Sequence, residues 1–151
     1  MALTLETPQL TFQRAFQYTR SKPGVQHALR SLKMYLVGQK NGDLQLVVYD
    51  QTSNADSVLA NVACKLYAWF AQKPSGSTVK SWAKISDHAT VTAAAGDVVL
   101  PLPTTAAHCV IWPDGLALAT GATLAAHTAV DGTTDSSDAD APNGFVIVGA
   151  A

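Results

Sequence analysis

Glutamate is nearly missing from this chain: Glu6 is the only one, and every later acid is an aspartate. Paired-carboxylate acid/base chemistry would therefore have to rest on scattered aspartates. Metal and redox signatures are missing as well. Neither C-x-x-C, H-E-x-x-H nor H-x-H occurs, and spacings of that kind hold zinc or poise a thiol pair. His108 and Cys109 are adjacent, so on a strand they point to opposite faces and cannot share one metal. No glycine-rich phosphate loop and no G-x-S-x-G is present. Ser86-Asp87-His88 alone lacks the nucleophile turn and oxyanion site of a working triad. The expectation is a chain with no catalytic residues, no metal and no cofactor, and not an enzyme.

Charge is also scarce. Charged residues make up 14% of the 151 positions and hydrophobic ones 48%, where a soluble domain usually carries about 25% charged. Such a surface is either covered by small neutral residues or buried against other subunits. No run approaches the roughly 20 apolar residues of a membrane span. The first residues lack the charged-then-apolar pattern of a secretory leader, so a protein made in the cytosol, with no membrane contact, is expected. In that compartment Cys64 and Cys109, both inside apolar strand patterns, read as buried free thiols and not as a disulfide.

The few charges are polarised. Six of the ten basic residues (Arg14, Arg20, Lys22, Arg30, Lys33, Lys40) precede position 41 beside one acid, and after Lys84 seven aspartates follow with no base. This pattern can orient like subunits head to tail, or dock a basic arm on an acidic neighbour. Nucleic acid is the sharper alternative, but the bases are sparse and no reading motif accompanies them, so no direct nucleic-acid contact is expected.

What is present is strand pattern. Val62–Phe70 alternates: Val62, Cys64, Leu66, Ala68 and Phe70 on one side, Lys65, Tyr67 and Trp69 on the other. A polar loop, Lys73–Thr78, leads to a second strand over Val79–Ile85. If the two form a hairpin, Trp82 lies near Tyr67 or Trp69 and both tryptophans are core. Lys40-Asn41-Gly42-Asp43 signals another hairpin, pairing Val37 with Leu46 and Tyr35 with Val48. Met34, Leu36, Val47 and Tyr49 then line its second face. Both faces are apolar, so this ribbon should be covered on both sides.

A competing signal overlaps it: Val25, Leu29, Leu32 and Leu36 recur at helical spacing, predicting one short helix after Pro23-Gly24. Residues 1–22 interleave aromatics and arginines (Phe12, Arg14, Phe16, Tyr18, Arg20) and read either as an extended arm or as a segment packed on its own domain. Downstream, Ala89–Ala95, Val98–Leu100, Ala107–Trp112, Leu116–Ala119, Thr123–Val130 and Phe145–Val148 read as short strands. Pro101 and Pro103 cannot donate to a ladder, which places that piece on a sheet edge or in a crossing connection. Trp112-Pro113-Asp114-Gly115 suits a type I turn. Asp50–Asp56 and Asp131–Asn143 read as exposed polar loops; the former lacks the ordered ligand spacing and closing glutamate of a calcium loop. Eight or nine short strands with turns every 8 to 15 residues suit an all-β domain, a jelly-roll-like β-sandwich or barrel, over residues 23–151 behind an N-terminal arm, 1–22.

The low-charge Ala/Thr/Gly stretch Ala89–Val130, the turns at Gly96-Asp97, Asp114-Gly115 and Gly121, and the ending Gly144–Ala151 resemble the small β-rich cement, decoration and fibre-type proteins of tailed-phage virions. That resemblance implies a non-enzymatic virion structural protein, made in the host cytoplasm, often trimeric. It would self-associate and bind major capsid protein or other virion subunits. The alternatives are a fibre or receptor-binding module recognising a cell-surface glycan, and an ordinary small-molecule enzyme. The candidate interface residues are Phe12, Arg14, Phe16, Tyr18, Arg20, Tyr35 and Tyr49.

Overall fold

Pro8 and Pro23 each open a helix in the computed structural model, which describes residues 4–38, 43–51, 56–73, 80–90, 97–102, 107–129 and 142–151. Proline suits the first helical turn because its φ is preset and its missing N–H would have had no partner there. Helix α1 spans Pro8–Tyr18 and α2 spans Pro23–Gly38. In α1 the buried side chains are Thr11, Phe12 and Ala15, one face of a helix. In α2 the predicted stripe holds: Leu29, Leu32 and Leu36 are buried and Val25 packs against them. The helix is longer than expected and takes up Met34–Val37, so Tyr35 and Val37 are not paired with Val48 and Leu46. Three leucines buried on one face outweigh a local turn preference; the Asn41-Gly42 turn itself lies outside the described residues.

Among the described residues eight strands follow: β1 Leu44–Asp50, β2 Asp56–Ala60, β3 Cys64–Gln72, β4 Ser81–Ser86, β5 Val98–Leu102, β6 His108–Leu118, β7 Ala122–His127 and β8 Asn143–Ala150. They form two four-stranded antiparallel sheets, ordered β1-β8-β3-β6 and β2-β7-β4-β5. The fold is thus the expected all-β sandwich, with two helices where one was predicted. Trp69, Leu66, Tyr49, Val146, Val148, Ile85 and Leu124 fill the space between the sheets. Phe12, Leu29, Leu32 and Leu36 pack on the outer face of the first sheet against Leu44, Leu46, Phe70, Phe145 and Ile147. This second layer explains why β1 and β8 are apolar on both faces: their second cover is the chain's own helical hairpin.

Three expectations are corrected. The strands β3 and β4 are not a hairpin; they lie in different sheets. A Lys/Pro/Ser/Gly loop reports that the chain turns, not which sheet it re-enters. Trp69 is fully buried, but Trp82 is only half-buried, paired with Pro101 and His127 on the second sheet. Second, the alternation of β3 breaks at Tyr67, where two residues of β3 oppose one of β8 between Leu66 and Ala68. This β-bulge swaps the faces: Cys64 and Leu66 face the sandwich, as do Trp69 and Ala71, while Ala68 and Phe70 face the helices. Third, Trp112–Gly115 does not reverse the chain. Both of its flanks pair with β3, so these four residues bulge out of one continuous strand, β6, with Gly115 at φ 80°.

Pro101 does sit on an edge strand, β5, as its missing donor requires. The predicted Ala89–Ala95 strand falls largely outside the described residues, as do most of the Asp50–Asp56 and Asp131–Asn143 loops.

Candidate functional site: the basic face of the helical hairpin

Of the two readings of residues 1–22, the described part follows the second. Glu6 and Leu44 exchange backbone hydrogen bonds at 2.7 and 2.8 Å, and the Thr4 N–H donates to Gln45 Oε1. Phe12 is fully buried in its own domain. Tyr49 is also core, its hydroxyl donating to the Phe70 carbonyl at 2.7 Å, and burial pushes its phenol far above the ordinary value. These two leave the set of residues a partner could touch. The other five lie on or near the surface. Arg14 pairs with Glu6 at 2.8 Å, Tyr18 is 54% exposed with its ring 5.9 Å from Phe145, and Arg20 is exposed. Tyr35 donates to Asp114 Oδ1 at 2.6 Å, tying α2 to the β6 bulge. That hydrogen bond to the carboxylate holds the Tyr35 phenol above its ordinary value.

Phe16 is the residue around which the outward face is organised. It borders a cleft of about 630 Å³ with Arg30, Lys33, Met34 and Val37. It also borders a second cleft of about 450 Å³ that Arg20, Lys33 and four glutamines share. The Lys33 ammonium stands 6.0 Å from the Phe16 ring centroid, within cation–π range. Met34 is 76% and Val37 58% exposed. Arg30, Lys33, Met34 and Val37 follow i, i+3, i+4, i+7 spacing, a single helical stripe. That spacing was readable, but the Asn-Gly signal assigned Met34 to a strand face and hid the stripe.

The remaining candidates are structural. Asp87, beside His88, is a turn staple: Oδ1 accepts the Thr120 and Gly121 N–H groups at 2.7 and 3.3 Å, and Oδ2 accepts that of Ala119 at 2.9 Å. These bonds, Thr120's foremost, hold its carboxyl below the usual 3.8. Gly121 is required there, since a Cβ would lie 2.7 Å from the Ala60 carbonyl oxygen. A depressed folded-state pKa contributes stability present above the unfolded value and lost as pH falls through the folded one. Asp87→Asn is therefore expected to lower the urea midpoint at pH 7, with the gap closing below pH 4; a gap that persists unchanged in acid would show the carboxylate charge to be irrelevant.

Cys64 and Cys109 are unpaired, the first buried and the second half-buried. Burial pushes both thiols from 9.0 up to about 11. Two units leave about a hundredfold less thiolate at neutral pH, so thiol reagents are expected to label the native protein slowly, and rapid native labelling of either would refute this. Among the described residues no three His, Cys, Asp or Glu side chains are placed to hold a metal, and no helix is long and apolar enough to cross a membrane.

Comparison with protein-family models, curated proteins and solved structures finds no match.

Proposed function

We propose that this chain is a non-enzymatic structural protein of a tailed-phage virion, which self-associates and binds the capsid shell as a cement or decoration subunit. The observation that carries the reading is the strand order. Four strands ordered 1-8-3-6 face four ordered 2-7-4-5, and this order supports reading the sandwich as a jelly roll, an architecture that capsid subunits and lectins use. The helical layer adds a cationic, partly apolar outer face of the kind protein interfaces use. Mixed with purified shells of the phage that encodes it, the protein is expected in the pellet at a fixed ratio to the major capsid protein. Protein that stays in the supernatant overturns the reading.

One observation favours a glycan-recognising fibre module instead. The half-buried Trp82 lines a cleft of about 360 Å³ with Lys80, Ser81, Pro101 and His108, an apolar ring among polar groups. A glycan array probed with the full chain decides: specific binding lost in Trp82→Ala supports this module, and a blank array removes it.

A further inference from the structure

We propose that the groove between α1 and α2 binds an extended acidic peptide, a segment of another protein in which aspartates or glutamates flank an apolar anchor. This goes beyond the virion reading and stands or falls apart from it.

The first ground is a row of amides. Gln9, Gln13 and Gln17 are exposed on α1 and line the cleft of about 450 Å³ beside Arg20 and Lys33. Their four-residue spacing puts them on one face, about 6 Å apart along the helix axis. An extended chain repeats every two residues, about 6.6 Å. Three successive glutamines can therefore meet three successive repeats of a peptide backbone. A carboxamide both donates and accepts, and so does each peptide unit. Among the described residues none of these three amides has a hydrogen-bond partner. Gln26, by contrast, is already engaged and donates to the Phe16 carbonyl at 3.1 Å.

The second ground is charge. Residues 7–38 contain five basic side chains and no acid. Glu6 engages Arg14, but among the described residues no carboxylate pairs with Arg20, Arg30 or Lys33. Complementary charge selects an acidic occupant. The groove continues past Phe16 into the larger cleft, where Met34 and Val37 stand mostly in solvent. An apolar side chain of the peptide seats there, and a methionine adapts to its shape.

The same features disfavour two other anionic partners. Single-stranded nucleic acid stacks its bases on open aromatic faces. Phe16 is half-buried, with the Lys33 ammonium 6.0 Å from its ring centroid. An anionic bilayer takes up one continuous apolar face, whereas here the apolar side chains lie in a cleft between two helices beside a row of amides.

The test is fluorescence anisotropy on the full-length protein with an end-capped, labelled decapeptide. The peptide carries leucine at two alternate central positions and aspartate elsewhere. Saturable binding is expected at low salt, weakening as sodium chloride approaches about 1 M, where screening reaches about 3 Å. Gln13→Ala/Gln17→Ala, Arg20→Glu/Arg30→Glu and Met34→Glu should each weaken it about tenfold. Circular dichroism and urea midpoint should not change, because these side chains are exposed. The same peptide N-methylated at alternate residues keeps its charges and leucines but loses backbone donors, and should also bind about tenfold more weakly. Equal binding of the N-methylated peptide, or undiminished binding by the glutamine double variant, would show that charge alone is sensed and overturns the proposal. A parent that does not bind the peptide overturns it too, as does tighter binding of oligothymidylate or of phosphatidylserine vesicles. Shell pelleting is read separately. A chain that takes the peptide but ignores shells sinks the virion reading alone, and one that pellets with shells but leaves the peptide free sinks this inference alone.

Discussion

Trp69→Ala is expected to cost about 3–5 kcal/mol, the range for emptying a large aromatic site in a core. The indole is fully buried on β3, a strand hydrogen-bonded to neighbours on both sides, with Val146 and Val110 as its register partners. It sits between the sheets with Tyr49, Leu59 and Ile85, its ring 5.7 Å from that of His108. A domain of this size shifts by about 2–4 °C per kcal/mol, so melting should fall by roughly 6–20 °C. Trp69→Phe should cost much less, because a ring still fills the site. Trp82→Ala is the control. That half-buried side chain faces away from the sandwich interior, unlike Ala83 and Ile85 beside it, and its loss should cost about 1 kcal/mol, as typical substitutions do. Equal urea midpoints for the two alanine variants would mean that their placement on opposite sides of the sheets is incorrect.

These two tryptophans also show what could be read in advance. Period-two patterning located β3, and apolar runs bounded by turn residues located β4, β8 and the two halves of β6, because such a pattern is a property of each segment alone. It did not predict which strands pair. Both tryptophans sit on apolar alternating runs joined by a turn, and the choice between a hairpin and a crossing to the other sheet is made by contacts far apart in sequence. The bulges were equally hidden. Tyr67 fits an unbroken alternation, and Trp112–Gly115 has the composition of a reversing turn; only the partner strand shows that each is extra length in a continuous one. The helical stripe Arg30, Lys33, Met34, Val37 was legible but masked by Asn41-Gly42, the stronger local signal. Deep burial of Leu29, Leu32 and Leu36 decided against that signal, and burial is not a local property.

Removing residues 1–38 should leave a chain that does not fold stably. Phe12, Leu29, Leu32 and Leu36 are each 2% exposed or less, and full burial of such side chains is worth about 1.5–3 kcal/mol apiece. Together they contribute roughly 6–12 kcal/mol, against a whole-domain stability of about 5–15 kcal/mol. The sheet loses its cover as well: Leu44, Leu46, Phe70, Phe145 and Ile147 would face water as one patch, which invites aggregation. The fragment is expected in inclusion bodies, or as a collapsed state without a sharp urea transition. Removing only residues 1–22 takes away Phe12, Ala15 and the Tyr18 ring over Phe145, and should already lower stability by about 3–5 kcal/mol through Phe12. A projecting arm makes the opposite forecast, namely an intact domain that has lost only its ability to assemble. Full-length Leu32→Ala separates lost packing from lost chain, since it keeps every residue and should still cost about 2–5 kcal/mol. A soluble 39–151 fragment unfolding cooperatively near the parent midpoint would show that the sandwich stands without its helices. The apolar outer face of β1, β8 and β3 would then need some other explanation.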